Sequence, residues 1–317
     1  MKLNILLAAC NGESFIKDQI DSLFSQTFTE WHLIMRDDGS HDRTLEILQA
    51  YQQRFPDKIT LIHDDRKGLG PCLNFGELLK HADADFVMFC DQDDVWLPRK
   101  IEISMDKMLS MSSQTQNDQT PLLVFTDLTV VDQSLHVLSE SFWDHKKSNP
   151  RNTTLNRLLV QNVATGCTML MNRALCAKAV PVPPRAVVHD WWVILVASIF
   201  GRIESIATPT VLYRQHSKNY LGARKWDPPK SVKLFFSPHA RHIEYDRFIN
   251  VKNKSQQQAL CLYEQYHDCL NDPEKAMLIQ RFANLNAMNW IKKRQFLLQN
   301  RLIYGDWFRT VAQMLFY

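Results

Sequence analysis

Asp85-Phe86-Val87-Met88-Phe89-Cys90-Asp91-Gln92-Asp93-Asp94 is the stretch on which the reading of this chain turns. Residues 86–90 are apolar throughout, with the length and composition of a buried strand. Three carboxylates, Asp91, Asp93 and Asp94, follow at once. Ligands of parallel α/β sheets bind beyond the carboxyl ends of the strands. Carboxylates crowded there repel one another unless a cation sits among them, and an oxygen-ligated divalent ion is the usual candidate. Taken alone, the stretch also reads as a polar turn, with Asp94 or a neighbour capping the helix beyond Pro98.

Upstream, residues 3–9 form a continuous apolar run that fits a central parallel strand, and Asn11-Gly12 ends it as a turn. Ser14 is placed to cap a helix over 15–25, with Ile16, Ile20, Leu23 and Phe24 on one face. Residues 31–35 read as the next strand, ending in Arg36-Asp37-Asp38-Gly39-Ser40. Asp42 then caps a helix over 44–54 that turns Leu45, Leu48 and Tyr51 inward. A third strand over 59–63, the two-glycine loop Lys67-Gly68-Leu69-Gly70-Pro71 and a helix over 71–82 lead back to the opening strand. This alternation predicts a doubly wound α/β sheet. Asp37-Asp38 and Asp91-Gln92-Asp93, 54 residues apart, then share one sheet edge. Two acidic strand ends beside a Gly-containing loop suit a nucleotide, which needs acceptors for its base and ribose and a metal for its diphosphate.

The motifs resemble those of family 2 glycosyltransferases of the GT-A fold, in content, spacing and order. The matching pieces are Ala8-Ala9-Cys10-Asn11-Gly12, Asp37-Asp38-Gly39-Ser40-x-Asp42, Gly68-x5-Asn74-x-Gly76 and Asp91-Gln92-Asp93-Asp94-x-Trp96-x-Pro98-x-Lys100. The resemblance implies a Rossmann-like, mostly parallel sheet flanked by helices. It implies that Ala8, Ala9, Asn11, Glu13, Asp37, Asp38, Gly68, Asn74, Asp91 and Gln92 surround the donor nucleotide. In the Asp-x-Asp equivalent, Asp91 serves the ribose and Asp93 a Mg²⁺ or Mn²⁺ on the diphosphate. Asp94 and Trp96 fall to the donor sugar or acceptor, with helix capping also open for Asp94. One departure is Ala9-Cys10, where the family often has an aromatic before the Asn.

Farther on come a helix over 97–111, a polar surface loop over 112–120 and a β-prone run over 122–131. For residues 139–153, with Phe142, Trp143 and His145, a mobile acceptor loop and an ordinary surface excursion both fit. In Gln161-Asn162-Val163-Ala164-Thr165-Gly166, the resemblance puts Thr165 and Gly166 under the donor sugar. Asn172-Arg173 opens a short helix to about 179, and Pro181, Pro183 and Pro184 stiffen the connector. In His189-Asp190-Trp191-Trp192, Asp190 stands at the head of an apolar helix over 191–200, where an Asp is a good cap. The resemblance makes it the general base of an inverting transfer and sets His189, Trp191 and Trp192 about the sugars, packing being the other reading of the tryptophans. Residues 202–207 and 210–214 read as a final strand pair, followed by Tyr213-Arg214-Gln215-His216-Ser217-x-Asn219-x3-Gly222. That arrangement resembles rhamnosyltransferase-like members, with His216 on metal or phosphate and Arg214 near the sugar.

The chain of 317 residues carries a net charge of +3, unevenly spread. Residues 1–223 hold 22 Lys/Arg against 26 Asp/Glu, and residues 224–317 hold 15 against 8. The expectation is a catalytic domain over 1–223, its donor half about 1–111 and its acceptor half about 112–223, followed by a basic helical region over 224–317. There, Asp227-Pro228-Pro229 and Ser237-Pro238 break the chain, and Phe282, Leu285, Met288, Ile291, Leu298 and Leu302 recur at helical spacing. A basic amphipathic helix on an anionic membrane surface and a helical cap on the catalytic domain or on a second subunit, as in a homodimer, are both open. The seven cysteines, odd in number and without a Cys-x-x-Cys pair, read as reduced residues of a cytoplasmic protein. Met1-Lys2-Leu3-Asn4-Ile5 runs into a strand pattern without a cleavage site, and the longest apolar run, 191–200, is about half a membrane span. Neither a secretory leader nor a transmembrane segment is expected, and nothing points to nucleic acid. The donor is expected to be dTDP-L-rhamnose or a UDP-hexose, and the acceptor a saccharide or lipid-linked oligosaccharide. A nucleotidyltransferase would want a basic, Gly-rich first loop, and residues 8–13 offer one Gly and no basic residue. A non-catalytic nucleotide- or carbohydrate-binding module would have no use for Asp190.

Overall fold

The computed structural model describes residues 1–115, 117, 119–217, 219, 222, 238–305, 310, 311, 313 and 314, with backbone alone over 238–248. Its strands are β1 (Leu3–Ala9), β2 (Trp31–Asp37), β3 (Ile59–Ile62), β4 (Phe86–Asp91), β5 (Val95–Trp96), β6 (Leu122–Asp132), β7 (Val137–Ser139), β8 (Met169–Asn172) and β9 (Arg202–Gln215). They form one sheet in the order β3-β2-β1-β4-β8-β6-β9-β5, with β7 paired to β6. The first four strands in that order are parallel; β8 enters antiparallel between β4 and β6.

Why β1 is central follows from its side chains. Leu3, Ile5, Leu7 and Ala9 enter one core and Leu6 the other, so both faces of the strand are dry. The chain winds from β1 outward to β2 and β3, then returns to lay β4 on the other side of β1. A crevice opens where the winding reverses. The register sets Ala9 opposite Asp37 and Ala8 opposite Asp91, so the two acidic strand ends flank the end of β1.

Helices α1 (Ile16–Phe24), α2 (Thr44–Arg54) and α4 (Lys100–Ser112) cover one face. The other face takes α3 (Gly70–Lys80), α6 (Leu155–Leu158), α7 (Arg173–Ala179) and α8 (His189–Phe200). Several local expectations shift. Ser14 does not cap α1; the Gly12 carbonyl takes the N–H groups of Phe15 and Ile16 at 3.0 Å each. Leu45 is 37% exposed, leaving Leu48 and Tyr51 as the inward side of α2. Residues 202–215 form one strand rather than two. Its register against β6 slips where Pro209, which has no N–H for the ladder, faces Asp127. Residues 139–153 contain α5 (Phe142–Lys146), fastened by the buried Asp127. That carboxylate accepts from the N–H groups of Phe142 and Trp143 at 3.2 and 3.3 Å and from Ser141 Oγ at 2.5 Å.

The expected chain break at Asp227-Pro228-Pro229, and the boundary at 223–224, lie outside the described residues. Beyond them come α9 (Pro238–Tyr266), α10 (Pro273–Ala283) and α11 (Trp290–Gln299). The apolar set expected on one basic helix is divided between α10, α11 and the segment joining them. Phe282, Leu285 and Leu302 are fully buried in the same core as Trp192, whereas Ile291 and Leu298 are 60% and 56% exposed. Tyr266 stacks near Trp192 with ring centroids 5.9 Å apart, and its hydroxyl donates to the Lys178 carbonyl at 2.6 Å. These helices therefore cap the α7–α8 face. Among the described residues no helix is long and apolar enough to cross a membrane. Phe282→Ala should cost about 3–5 kcal/mol and lower the midpoint of a single unfolding transition of the whole chain. Two calorimetric transitions with only one displaced would show that the cap melts by itself.

Candidate active site

The loops after β1, β2 and β4 are laced together where the crevice opens. Gln92 bridges two of them, its Oε1 accepting from Cys10 N at 2.8 Å and its Nε2 donating to Cys10 O at 2.9 Å. Asn11, at φ 50°, donates its backbone N–H to Ser40 Oγ and accepts from His41 N at Oδ1. Gly12 N donates to Thr44 Oγ1 at 2.8 Å. A Cβ on Gly12 would lie 2.3 Å from Gln92 Oε1, so the loop needs glycine there. Glu13 is exposed and accepts from Arg43 N at 3.0 Å. Asp37 closes the Asp-Asp-Gly-Ser turn by accepting from Gly39 N and Ser40 N. Ala8 is half-buried beside these loops. A cleft of about 230 Å³ lies between Cys10, Asn11, Gly12 and Phe15 on one side and Gln92, Asp93 and His216 on the other.

Three residues expected at the nucleotide lie beneath this surface. Asp38 is 4% exposed, and its carboxylate already takes Leu69 N, Gly70 N and Arg36 Nη1 at 2.8–3.1 Å. It anchors the loop of Gly68, whose own N–H donates to the Asp38 carbonyl at 3.0 Å. Asn74 is 2% exposed; its Oδ1 accepts from the buried Arg36 at 2.9 Å. The Ala9 side chain is buried, and its carbonyl accepts from Asp38 N. Arg36 also grips Asp64, whose carboxyl the guanidinium holds down at about 2. Asp38 and Asn74 are therefore buried supports of the loop floor.

At the acidic end, Asp91 is half-buried at the close of β4. Burial raises its carboxyl first, and the charges of Asp93 and then Asp190 add to the rise. Asp93 Oδ2 lies 2.8 Å from His216 Nε2, and the His216 ring stacks on Phe15 with centroids 4.7 Å apart. Asn219, three residues beyond His216, steadies both: it accepts from His216 N and donates to Asp93 Oδ2 at 3.4 Å. Asp94 and Trp96, expected at the sugar, are 0% and 1% exposed and reach no cleft. Arg214 is 3% exposed and is consumed as a brace. It donates to the carbonyls of Asp93 and Gln133 and to Asp18 Oδ2, and its N–H to Asp94 Oδ1.

Two donor sets could hold a divalent ion. Asp91, Asp94 and Cys167 bring one ligand atom each within 4.8 Å of one another. Burial pushes the Asp94 carboxyl and the Cys167 thiol well above their ordinary ranges, which disfavours their charged forms, and a thiol is a poor ligand for a hard ion. Asp93 and His216 fit better. Neighbouring ligands of a six-coordinate Mg²⁺ or Mn²⁺ lie about 3 Å apart, close to their 2.8 Å separation, and both line the cleft.

Asp190 is the second residue of α8 and is 8% exposed. Its carboxylate accepts from Gly166 N at 2.9 Å, Asn162 Nδ2 at 3.2 Å and Trp191 N at 2.6 Å. Burial pushes it up to about 6, against the pull of the Gly166 and Trp191 N–H groups. Gly166 is required here by close approach, since a Cβ would lie 2.7 Å from His189 Nε2. Thr165 is half-buried, its carbonyl taken by Thr168. Cys167 in the same turn lies beside Asp91 and Asp94, so Gly166 and Cys167 link Asp190 to the acidic strand end. His189, Trp191 and Trp192, expected about the sugars, are buried in the core. The His189 ring is stacked 4.0 Å from Phe75, and the indole N–H groups of Trp191 and Trp192 donate to the Leu158 and Ala179 carbonyls. Asn219 belongs to the quoted Tyr-Arg-x-His-x2-Asn arrangement without a role of its own, and Asn162 was only within a quoted stretch; tertiary geometry gives each a carboxylate to hold.

Residues 4–115 match the family described as Glycosyl transferase family 2. A dTDP-rhamnosyl transferase RfbG of Shigella flexneri is 26% identical over 68% of this chain and 74% of its own length. A UDP-Glc:alpha-D-GlcNAc-diphosphoundecaprenol beta-1,3-glucosyltransferase WfgD of Escherichia coli is 26% identical over 55% of this chain and 61% of its own length. Against several other relatives the chain spans about half their length. The crystal structure of S. aureus TarS 1-349 in complex with UDP superposes with a TM-score of 0.54 at 17% identity, over 89% of this chain and 70% of that one, a likeness of fold. Residues 4–115 thus match the family 2 glycosyltransferases, and the sheet with its laced loops at the reversal has the GT-A fold of the solved glycosyltransferase.

Proposed function

We propose that the protein is an inverting, metal-dependent sugar transferase of surface polysaccharide or lipopolysaccharide biosynthesis. It would act in the cytoplasm on a nucleotide-sugar donor and a saccharide acceptor borne on a lipid. The observation that carries the reading is Asp190: a carboxylate fixed by three donors, raised to about 6, whose charge is felt at Asp91. A carboxylate so held is charged at neutral pH yet basic enough to accept the acceptor hydroxyl's proton as the oxygen attacks the anomeric carbon. The bond to the diphosphate breaks on the opposite face, so the anomer inverts and no covalent enzyme intermediate forms. Asp91 would serve the ribose, and Cys10–Gly12 with the Asp37 turn would surround the nucleoside through backbone groups. A Mg²⁺ or Mn²⁺ held by Asp93 and His216 would offset the charge developing on the leaving diphosphate.

For the donor we favour dTDP-L-rhamnose. The support is the Tyr213-Arg214-x-His216-x2-Asn219 pattern and the dTDP-rhamnosyl transferase relative, which aligns over 68% of the chain. A UDP-hexose, glucose or galactose, is the second reading, favoured by the glucosyltransferase relative. Calorimetric titration with dTDP- and UDP-sugars in Mn²⁺ separates them.

Asp190→Asn should lower turnover about 100- to 10,000-fold while leaving donor affinity within a factor of a few. Asp93→Ala should abolish transfer and weaken Mn²⁺-dependent donor binding by ~10–100-fold. Equal loss of donor binding in both variants would remove Asp190 from the role of base, and a product of retained configuration by NMR would remove the single displacement. The pH profile gives an independent measure. Because the active form of Asp190 is ionised and burial raises its carboxyl to about 6, kcat/KM should hold above that pH and fall about tenfold per unit below it. Asn162→Ala removes a donor to the ionised form, so its acid limb should move to higher pH.

A further inference from the structure

Two buried glutamines on α9 make the same kind of bond in different places. Gln256 and Gln258 are 4% and 0% exposed. Gln256 Oε1 accepts from Asn286 Nδ2 at 2.9 Å, in the turn between α10 and α11. Gln258 Oε1 accepts from the backbone N–H of Val187 at 2.9 Å. In each, Nε2 is buried with no partner among the described residues. A half-satisfied amide in a core is worse for stability than an apolar side chain of the same size. Stability alone therefore favours Met or Leu at 258, and what Gln adds there is an acceptor for one N–H.

That N–H stands at the entry to α8. Val188 occupies the N-cap position and has no side-chain oxygen, so the helix lacks the cap that usually fixes how a chain enters it. The connector before it holds one turn, Ala186 N to Pro183 O at 2.9 Å, and the exposed Arg185–Glu264 ion pair, a weak tie in water. Gln258 supplies a buried tie. From there α9 continues along α8 to Tyr266, whose ring lies 5.9 Å from that of Trp192. We propose that Gln258 is a positioning residue for Asp190: by holding Val187 it sets where α8 begins, and so where the carboxylate of its second residue stands. Gly166 N reaches that carboxylate at 2.9 Å from a different element, so a shift of the helix head moves the carboxylate against its donor. The C-terminal helices thereby take part in the site without touching it.

The inference rests on the function proposed above for Asp190, and a comparison of Gln258→Met with Gln256→Met in the full chain tests it. Met matches Gln in length and helix propensity and offers no carbonyl oxygen. Gln258→Met should lower kcat about 10- to 100-fold, the scale of a misplacement of about 1 Å, with donor KM and Mn²⁺-dependent donor affinity within about twofold of wild type. Gln256→Met removes the same kind of bond inside the cap and should keep the wild-type kcat, with a melting temperature close to that of Gln258→Met. Gln258→Glu keeps an acceptor oxygen at the same reach and, being buried, stays neutral, so it should recover most of the lost turnover. Hydrogen exchange of peptides covering 185–192 should quicken in Gln258→Met and not in Gln256→Met. Equal kcat in the two Met variants, donor affinity that falls together with kcat, or unchanged exchange in Gln258→Met overturns the proposal. Wild-type turnover in Asp190→Asn would remove the base and its positioning together. An inactive Asp190→Asn beside a fully active Gln258→Met would remove the positioning alone.

Discussion

Negative charge gathered at one sheet edge is the constraint that the rest of this structure answers. Asp91, Asp93, Asp94 and Asp190 belong to one neighbourhood, and each is accommodated differently. Asp94 is fully buried, accepts the Arg214 N–H at 3.1 Å and is pushed far up by burial, which disfavours its charged form. Asp93 faces His216, and Asp190 takes three N–H donors. Asp91, half-buried like Asp93, is raised to about 8 by burial and by the charges of Asp93 and Asp190, with the Cys167 thiol alone pulling it down. Lys100, buried beneath with its ammonium 4.6 Å from the Trp96 ring, is itself lowered to about 8 by burial. A buried charge lacking a close partner costs several kcal/mol, so Lys100 relieves this crowding only partly. The remaining excess at Asp91 and Asp93 is what a cation or a ligand's hydroxyls would relieve.

Arg214 shows how the fold holds this arrangement. Its guanidinium spans α1 at Asp18, the turn after β4 at the Asp93 carbonyl and the turn after β6 at the Gln133 carbonyl. Its Cζ also lies 4.7 Å over the Phe15 ring on which His216 stacks. Asp93 and His216 therefore come from distant parts of the chain but are positioned by one buried cation. Truncating Arg214 would remove all four ties together, so this buried residue acts on the site through the groups it holds in place.

The sheet and the convergence of Asp37 with Asp91 were legible because parallel strands put their carboxyl ends on one edge, and apolar runs mark those strands. Asp190, Gly166 and the Asp93–His216 pair were singled out through motif likeness; the structure puts Asp93 and His216 on the cleft and Asp190 buried against Gly166. What a motif does not carry is side-chain direction. Trp96 lies in a two-residue strand whose partner, Val211, turns it into the core. Trp191 and Trp192 find carbonyl partners inside the molecule, so packing rather than sugar decides them. Asp38 and Asn74 share their motifs with exposed residues, yet Arg36, a buried cation inside a strand, claims both. The C-terminal apolar residues misled for a related reason: periodicity counts positions on a helix, and the turn at Asn284–Asn289 restarts the count.

The assignment of the base is sharpened by its neighbour. His189 precedes Asp190 and is the residue more often expected to titrate near neutrality. Here its ring is packed 4.0 Å from Phe75 and 4.6 Å from Phe89, and burial lowers it to about 3. It stays neutral across the pH range in which the enzyme would work, and neither ring nitrogen is directed to the cleft. It therefore adds no second ionisation to the acid limb. What it does instead is mechanical: its Nε2 fills the space beside Gly166, the residue whose N–H is given to Asp190. A neutral ring packed against two phenylalanines fixes the turn, and the turn fixes the carboxylate proposed above to take the acceptor's proton.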